Sequence, residues 1–240
     1  MKVLVACEES QAVTIELRRL GHEAYSCDVE PCSGGHPEWH IQGDALKIID
    51  GDCRFRTMDG KRHRINEEWD ILIAHPPCTY LTTCANRAFS TKFNSPEKVI
   101  ERYVSREAAI KFFMKFINAK CQRIAVENPQ GCMNTQYRKP DQTIHPYYFA
   151  ESEKDEMNYH QKKTCLWLKG LPKLARSNDL PKPPPKYICQ GNKSKGKAIG
   201  WCEGMTGVKG GRKERAKARS KTFPGIARAM AEQWAGKAET

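Results

Sequence analysis

The chain has 240 residues, of which 39% are hydrophobic and 28% charged, a composition typical of globular proteins and not of disordered or fibrous ones. No apolar run reaches the ~18–20 residues that a membrane-spanning helix needs, and the opening MKVLVACEES has neither the length nor the cleavage site of a signal peptide. We therefore expect a cytoplasmic protein with no membrane partner, and the sequence does not predict an oligomeric state.

The positive charge is concentrated in one segment. The net charge is +12, and residues 182–221 contain twelve Lys or Arg against two Glu, a surplus of +10. Such a segment binds polyanions by releasing their counterions, so we predict a nucleic-acid partner, with a solvated tail as the alternative. The candidate residues in it are Lys209, Arg212, Lys213, Arg215, Lys217 and Arg219.

Eleven cysteines raise the question of disulfides or a metal. Disulfides belong to oxidising compartments, and nothing in the sequence indicates export. Pairs such as Cys27 and Cys32, or Cys78 and Cys84, lack the C-x-x-C spacing of zinc sites. We predict reduced thiols, mostly packed as small hydrophobic groups, and no metal site.

The first elements alternate between strand and helix. KVLVA is a continuous apolar strand, the apolar residues from Val13 to Leu20 have helical spacing, and Gly21 stands where a helix would end. EAYSCDVEP then reads as a second strand that ends in acids. A β-α-β opening is typical of a largely parallel sheet with helical crossovers.

The later elements continue this pattern. WDILIA and QRIAVEN are predicted to be buried strands, KTCLWLKGLP is a later strand, and FPGIARAMAEQWAG is a last helix beginning at Pro224. Between the first two, Ser95 and Pro96 begin a long helix. Its expected sheet-covering positions are Val99, Tyr103, Ala109, Phe112, Phe113 and Phe116. The predicted fold class is α/β, with a mostly parallel, twisted sheet, helices on both faces and a basic, loop-rich insertion.

Polar side chains follow four of these strands, and ligands bind beyond the carboxyl ends of open parallel sheets. They stand at residues 7–10, at Asp28 and Glu30, at residues 75–79 and at 127–128. An acid after the second strand is where ribose hydroxyls are usually held. Each acid also has a structural reading, Asp28 as a turn cap and Glu127 as a solvated group. Together they predict a site where a thiol meets carboxylates.

The stretch WDILIAHPPCTYL followed by IAVENPQG resembles the catalytic core of the cytosine-C5 DNA methyltransferases, in a compact, phage-like form. In that family a strand of Asp-Ile-Leu type leads into a Pro-Cys loop, and a later strand ends in Glu-Asn. The opening KVLVACEES…GHEAYSCDVEP…GDAL is similar to the family's first three cofactor-binding strands, and RSKTFPGIARAMAEQW is similar to its closing helix. The likeness is scattered over about residues 1–170 and 218–236.

The resemblance implies a Rossmann-like class I methyltransferase fold that uses S-adenosyl-L-methionine on a cytosine flipped out of double-stranded DNA. It implies a Cys78 nucleophile that attacks C6 of the base, with Glu127 supporting N3 and Asn128 beside it. The implied cofactor-binding residues are Ala6, Cys7, Glu8, Glu9, Ser10, Asp28, Val29, Asp44, Ala45, His75, Pro76 and Pro77. The implied nucleic-acid contacts outside the basic segment are Thr79, Lys162 and Lys163.

The implied organisation has a catalytic and cofactor-binding α/β domain at 1–170, a small basic target-recognition segment at 171–221 and a C-terminal helix at 222–240 that packs back on the catalytic domain. The sequence departs from the family in its first loop, ACEESQ, which lacks glycine, and in the Pro that follows Glu127-Asn128.

Two alternatives stay open. HPPC shares its Pro-Pro with the amino-methyltransferases of adenine N6 or cytosine N4, although those enzymes have an aromatic residue where Cys78 stands. The second alternative is a non-catalytic nucleic-acid-binding protein on a methyltransferase fold, because a fold alone does not prove activity.

Overall fold

The computed structural model describes residues 1–185, 187–188, 190, 196, 198–199 and 218–238. Along the chain its strands and helices are β1 Lys2–Ala6, α1 Ala12–Arg19, β2 Glu23–Asp28, β3 His40–Gln42, β4 Cys53–Arg56, β5 Arg62–Ile65, β6 Ile71–Ala74, α2 Pro96–Ile117, β7 Ile124–Pro129, α3 Met133–Gln136, β8 Gln142–Ile144, β9 Thr164–Lys169, β10 Tyr187–Ile188, β11 Ala198–Ile199 and α4 Pro224–Trp234.

Seven of these strands form one sheet in the order β3-β2-β1-β6-β7-β9-β8. The first five are parallel to one another, and β9 runs antiparallel to both of its neighbours. When the five parallel strands are numbered by themselves along the chain, their order is 3-2-1-4-5, as in doubly wound nucleotide-binding sheets. The predicted Rossmann-like α/β class with a mostly parallel sheet is therefore confirmed.

Each face of the sheet is covered by helices, as predicted. Because side chains alternate along a strand, Val3 and Val5 of β1 face α1 and α4, while Leu4 and Ala6 face α2. The predicted apolar face of α4 is buried through Ile226, Met230 and Trp234. Apolar packing on both faces holds the carboxyl ends of β1, β6 and β7 in fixed register.

The long helix begins where the sequence predicted, because Ser95 accepts a hydrogen bond from Lys98 N at 3.5 Å. Its later turns cover the sheet with Phe113 and Phe116, both fully buried. The expectation for Tyr103 is wrong, because this residue is 53% exposed. It lies on the first turns of α2, which pack on the loop after β6, and its ring meets the Phe89 ring edge-on with centroids 5.2 Å apart.

Several elements were not predicted from the sequence, above all the antiparallel hairpin β4–β5. Its apolar residues occur only at alternate positions of two four-residue strands, a weak signal among arginines. The nine cysteines in the described part of the chain form no disulfide. Within the same residues, no helix is both long enough and apolar enough to cross a membrane.

Candidate active site

The candidate site lies at the carboxyl edge of the sheet, where β1 and β6 end level with Val126 while β7 continues to Pro129. In the parallel register Ala6 pairs with Ala74 and Ala74 with Val126. The next residue on each strand is Cys7, His75 or Glu127, so this thiol, imidazole and carboxylate follow the same row of the sheet. Adjacency of these strands was a condition of the sequence prediction, and the sheet order fulfils it.

His75 and Glu127 form a pair at the floor of the site. His75 Nδ1 lies 3.1 Å from Glu127 Oε2, and the two side chains are only 9% and 16% exposed. Burial by itself raises the pKa of Glu127, but the hydrogen bond and charge of His75, with the charge of Lys162, outweigh it and hold that pKa below its usual range. Glu127 is therefore ionised in the resting protein. His75 Nε2 is buried and meets no hydrogen-bonding group among the described residues.

Cys78 stands three residues beyond His75 and is partly buried. Burial, and next the negative charge of Glu127, raise the pKa of its thiol, whereas the charges of Lys162 and Arg219 lower it. These effects show that Cys78 shares one electrostatic environment with Glu127 and two cations. At rest the thiol is protonated, and a group that neutralises Glu127 would favour the thiolate.

The Pro-Pro loop before Cys78 is fixed by the neighbouring strand. Asn128 Nδ2 donates a hydrogen bond of 2.6 Å to Pro76 O, and Asn128 is buried. Both prolines restrict the backbone, and Pro77 leaves its ring exposed. Asn128, predicted as a site residue, thus acts on the loop that carries Cys78.

The chain beyond Cys78 is held in a turn. Cys78 O accepts hydrogen bonds from Leu81 N and Thr82 N, each at 3.0 Å. Thr82 then forms an isolated bridge with Gly131, a residue whose added Cβ would overlap the carbonyl of Leu81. The backbones of the loops after β6 and β7 are therefore in contact. Thr79, in the first of these loops, is exposed.

The loop after β1 is organised around Glu8. Its buried carboxylate accepts hydrogen bonds from Val13 N at 2.6 Å, Thr14 N at 3.3 Å and Thr14 Oγ1 at 2.7 Å. Burial raises the pKa of Glu8, and the positive potential of His75 and these hydrogen bonds lower it in part. The carboxylate thus occupies the start of α1. Without glycine, Cys7 and Gln11 adopt left-handed conformations, with φ 58° and 59°.

The loop after β2 closes over this first loop. Ser33 N donates to Glu9 O at 2.8 Å, and an added Cβ on Gly34 would lie 2.6 Å from Ser10 O. Gly34 is therefore required by close backbone approach. Glu9 and Ser10 lie under this cover, both half-buried.

The acids predicted for the cofactor lie beside the first loop. Asp28 accepts a hydrogen bond from Glu30 N at 2.9 Å, and Asp44 accepts one from Leu46 N at 3.0 Å next to the buried Ala45. Burial first, then the charge of Asp28 and more weakly that of Asp44, raise the pKa of the Cys7 thiol. Asp28, Asp44 and Cys7 therefore lie close together. Val29 follows Asp28 with 70% of its surface exposed.

The predicted cations divide into two sets. Lys163 Nζ donates to Gln130 Oε1 at 3.4 Å and so lies beside the loop after β7. Lys162 Nζ donates to Arg219 O at 2.9 Å, and its charge acts on Glu127 and Cys78. Arg219 is described, and its charge reaches Cys78. The remaining members of the basic prediction, Lys209, Arg212, Lys213, Arg215 and Lys217, lie outside the described residues.

The sequence analysis missed a residue that holds the loop after Cys78. Arg106 of α2 donates to Tyr80 O at 2.8 Å and places its guanidinium 3.5 Å from the centre of the Phe89 ring. It joins the loop after Cys78 to the long helix. An arginine on a helix surface gives no sequence signal of such a role.

Comparisons with known proteins add little to this geometry. No protein-family model matches the sequence, and a search of curated proteins finds no match. Among solved structures, the chain is similar to a prophage-encoded E. coli protein described as a DNA modification methyltransferase, with 12% identity and a TM-score of 0.38. The match covers 70% of this chain and 46% of that one, so the chain spans just under half the length of its match. A likeness this low carries no functional argument.

Proposed function

We propose that the protein is an S-adenosyl-L-methionine-dependent DNA methyltransferase that modifies C5 of cytosine through a covalent adduct of Cys78. The observation that carries the proposal is that Asn128 of β7 holds the loop of Cys78 through Pro76 O, next to Glu127, whose charge raises the pKa of the Cys78 thiol. A nucleophilic thiol beside a carboxylate is the pair that activation of the cytosine ring needs.

The first loop suits a cationic cofactor better than a dinucleotide. Dinucleotide-binding sheets leave the first helix's amides free for a pyrophosphate, but here Glu8 takes the amides of Val13 and Thr14. A phosphate would also meet Asp28 and Asp44. A sulfonium is favoured by acids, Asp28 suits ribose hydroxyls, and the exposed Val29 suits a purine face.

When bound, S-adenosyl-L-methionine supplies an electrophilic methyl group. Loops 7–10 and 28–29, with Asp44, would hold its adenosine and methionine parts, and His75 to Pro77 would line the side toward the base. These residues share the carboxyl edge of the sheet, which supports a cofactor site there.

The chain's own residues would act on the cytosine. The Cys78 thiolate adds to C6, and the electrons of the C5–C6 double bond move to make C5 nucleophilic. The proton that the thiol gives up passes to the Glu127 carboxylate, which holds it against N3 as negative charge develops on the ring. After C5 has been methylated, solvent removes the proton on C5, which restores the double bond and expels the Cys78 thiolate, and the thiolate recovers its proton from Glu127. A proton on Glu127 removes the negative charge that raises the pKa of the Cys78 thiol, so protonation of Glu127 and ionisation of Cys78 favour each other.

The amino-methyltransferase alternative is weakened by two contacts. Such enzymes hold an exocyclic amine with a polar side chain and a carbonyl of the Pro-Pro loop. In this protein Pro76 O already accepts from Asn128, and His75 Nδ1 already binds Glu127. These contacts occupy one acceptor position of Pro76 O and the Nδ1 atom of His75.

Incubation with labelled S-adenosyl-L-methionine and duplex DNA, followed by nucleoside analysis, tests the proposal. We expect 5-methylcytosine, and a stable adduct with 5-fluorocytosine DNA that Cys78→Ser abolishes. Cys84→Ser, at an exposed thiol six residues away, is the matched control and should leave both signals intact. Methyl transfer that survives in Cys78→Ser would refute the C5 mechanism. DNA binding without binding of S-adenosyl-L-methionine would instead support the non-catalytic alternative.

A further inference from the structure

A strongly basic surface lies outside the candidate site, on the hairpin β4–β5. Arg54 stands directly opposite Arg64, and Arg56 directly opposite Arg62. Opposed residues and residues two apart point to the same side of an antiparallel pair, so all four share one side of the hairpin. We call these four exposed residues, Arg54, Arg56, Arg62 and Arg64, the arginine face.

The other side of the hairpin anchors it to the domain. The Phe55 ring meets the Tyr25 ring with centroids 5.0 Å apart, and His63 Nδ1 lies 3.0 Å from Tyr25 Oη. Ile65 is fully buried, and Met58 N in the turn donates to His40 O at 2.8 Å. The hairpin is therefore fixed at the β3 edge of the sheet, with the arginine face outward.

The positive charge of this face meets no ion-pair partner among the described acids. Among the described residues, no carboxylate forms an ion pair with any of the four arginines. Of the acids that flank the hairpin, Asp59 pairs with Lys61 at 3.3 Å and Glu67 with Lys2 at 3.7 Å, while Asp52, two residues before Arg54, forms no ion pair with the described residues. Like charges directly opposite on two strands destabilise the pair. Residues that cost stability and make no internal ion pair indicate an external anion.

We propose that the arginine face binds the phosphate backbone of duplex DNA. Guanidinium groups pair with phosphates in a bidentate way, and contacts of this kind position a protein on nucleic acid without reading its sequence. The wide major groove of B-form DNA admits a two-stranded ribbon, whereas that of A-form RNA is too narrow. The choice of DNA rests on the proposed function, while the argument from charge does not.

The test compares two variants that lose the same charge. The first is R54Q/R56Q/R62Q/R64Q, and the control replaces four exposed lysines on and just after α2, K98Q/K111Q/K115Q/K120Q. Both are made with Cys78→Ser, so binding is measured without any catalytic step. The measurement is fluorescence anisotropy with a short DNA duplex between about 50 and 200 mM salt.

If the arginine face contacts phosphates, its variant loses up to about 3.6 from the slope of log affinity against log salt, about 0.9 per contact. Affinity at low salt falls by about tenfold or more, and the control changes far less. The melting temperature of the arginine variant stays equal or rises, because its opposed charges are gone. Equal slopes in the two variants would overturn the proposal, and equal dependence on the arginines for an RNA duplex would overturn the assignment to DNA. Failure of the proposed methyl transfer would produce neither result, because both variants carry Cys78→Ser and only binding is measured.

Discussion

Asn128 offers the sharpest test of how β7 holds the loop that carries Cys78. Its amide donates to Pro76 O across 2.6 Å inside the protein, and the variant Asn128→Ala removes this donor. The carbonyl two residues before Cys78 then loses its partner in a place that water does not reach. We expect the loop to become more mobile, so that the position of the Cys78 thiol varies more.

The magnitude follows from the buried carbonyl. Leaving such an acceptor unsatisfied costs about 1–3 kcal/mol of folding free energy. In a protein of this size, 1 kcal/mol lowers the melting temperature by about 2–4 °C. The expected loss is therefore about 2–12 °C, with the upper end requiring that the loop cannot relax toward solvent.

The assay follows the alkylation of Cys78 by peptide mass spectrometry, alongside methyl transfer and thermal unfolding. Asn178→Ala is the matched control, because Asn178 Nδ2 donates to Tyr147 O at 3.1 Å and Ala150 O at 2.7 Å, away from the Pro-Pro loop. We expect a similar loss of stability in both variants. Only Asn128→Ala should change the alkylation rate of Cys78 and lower methyl transfer. Indistinguishable alkylation and transfer in the two variants would refute the reasoning.

Three further results are expected. Glu127→Gln should speed the alkylation of Cys78 at fixed pH while lowering methyl transfer, because it removes a charge that raises the pKa of that thiol; slower alkylation would contradict this. His75→Gln should reduce stability near neutral pH. It should also move acid unfolding to higher pH, because His75 lowers the pKa of Glu127 in the folded protein. That lowered pKa stabilises the fold above the unfolded-state pKa of about 4.3, and the stabilisation is lost as the pH falls through the folded-state pKa. Urea unfolding across pH measures it, and an unchanged acid limb would show that the pair contributes nothing. Gly131→Ala should cost about 1–3 kcal/mol or more because its Cβ overlaps a facing carbonyl, whereas Gly43→Ala has open space and should not; equal unfolding free energies would contradict the backbone contact.

The elements with strong local patterns were predictable. Buried strands such as KVLVA and ILIA are continuous apolar runs, and the start of α2 at Ser95 and Pro96 is written in capping chemistry. Tyr103 shows where such reasoning stops, because helical spacing identifies an apolar side but not how far the sheet extends beneath it. The hairpin β4–β5 shows the converse, a structured element whose pattern is masked by its arginines.

The candidate site was predictable in its members but not in their relations. The sequence by itself determined that Cys78 follows one buried strand and that Glu127 and Asn128 come at the end of another, because hydrophobic periodicity is local. Only the tertiary structure decided that His75 pairs with Glu127, that Asn128 fastens Pro76, and that Glu8 occupies the start of α1. These contacts depend on strand order and on register between residues up to 52 positions apart. Register is set by packing on both faces of the sheet, and no single stretch of the chain contains it.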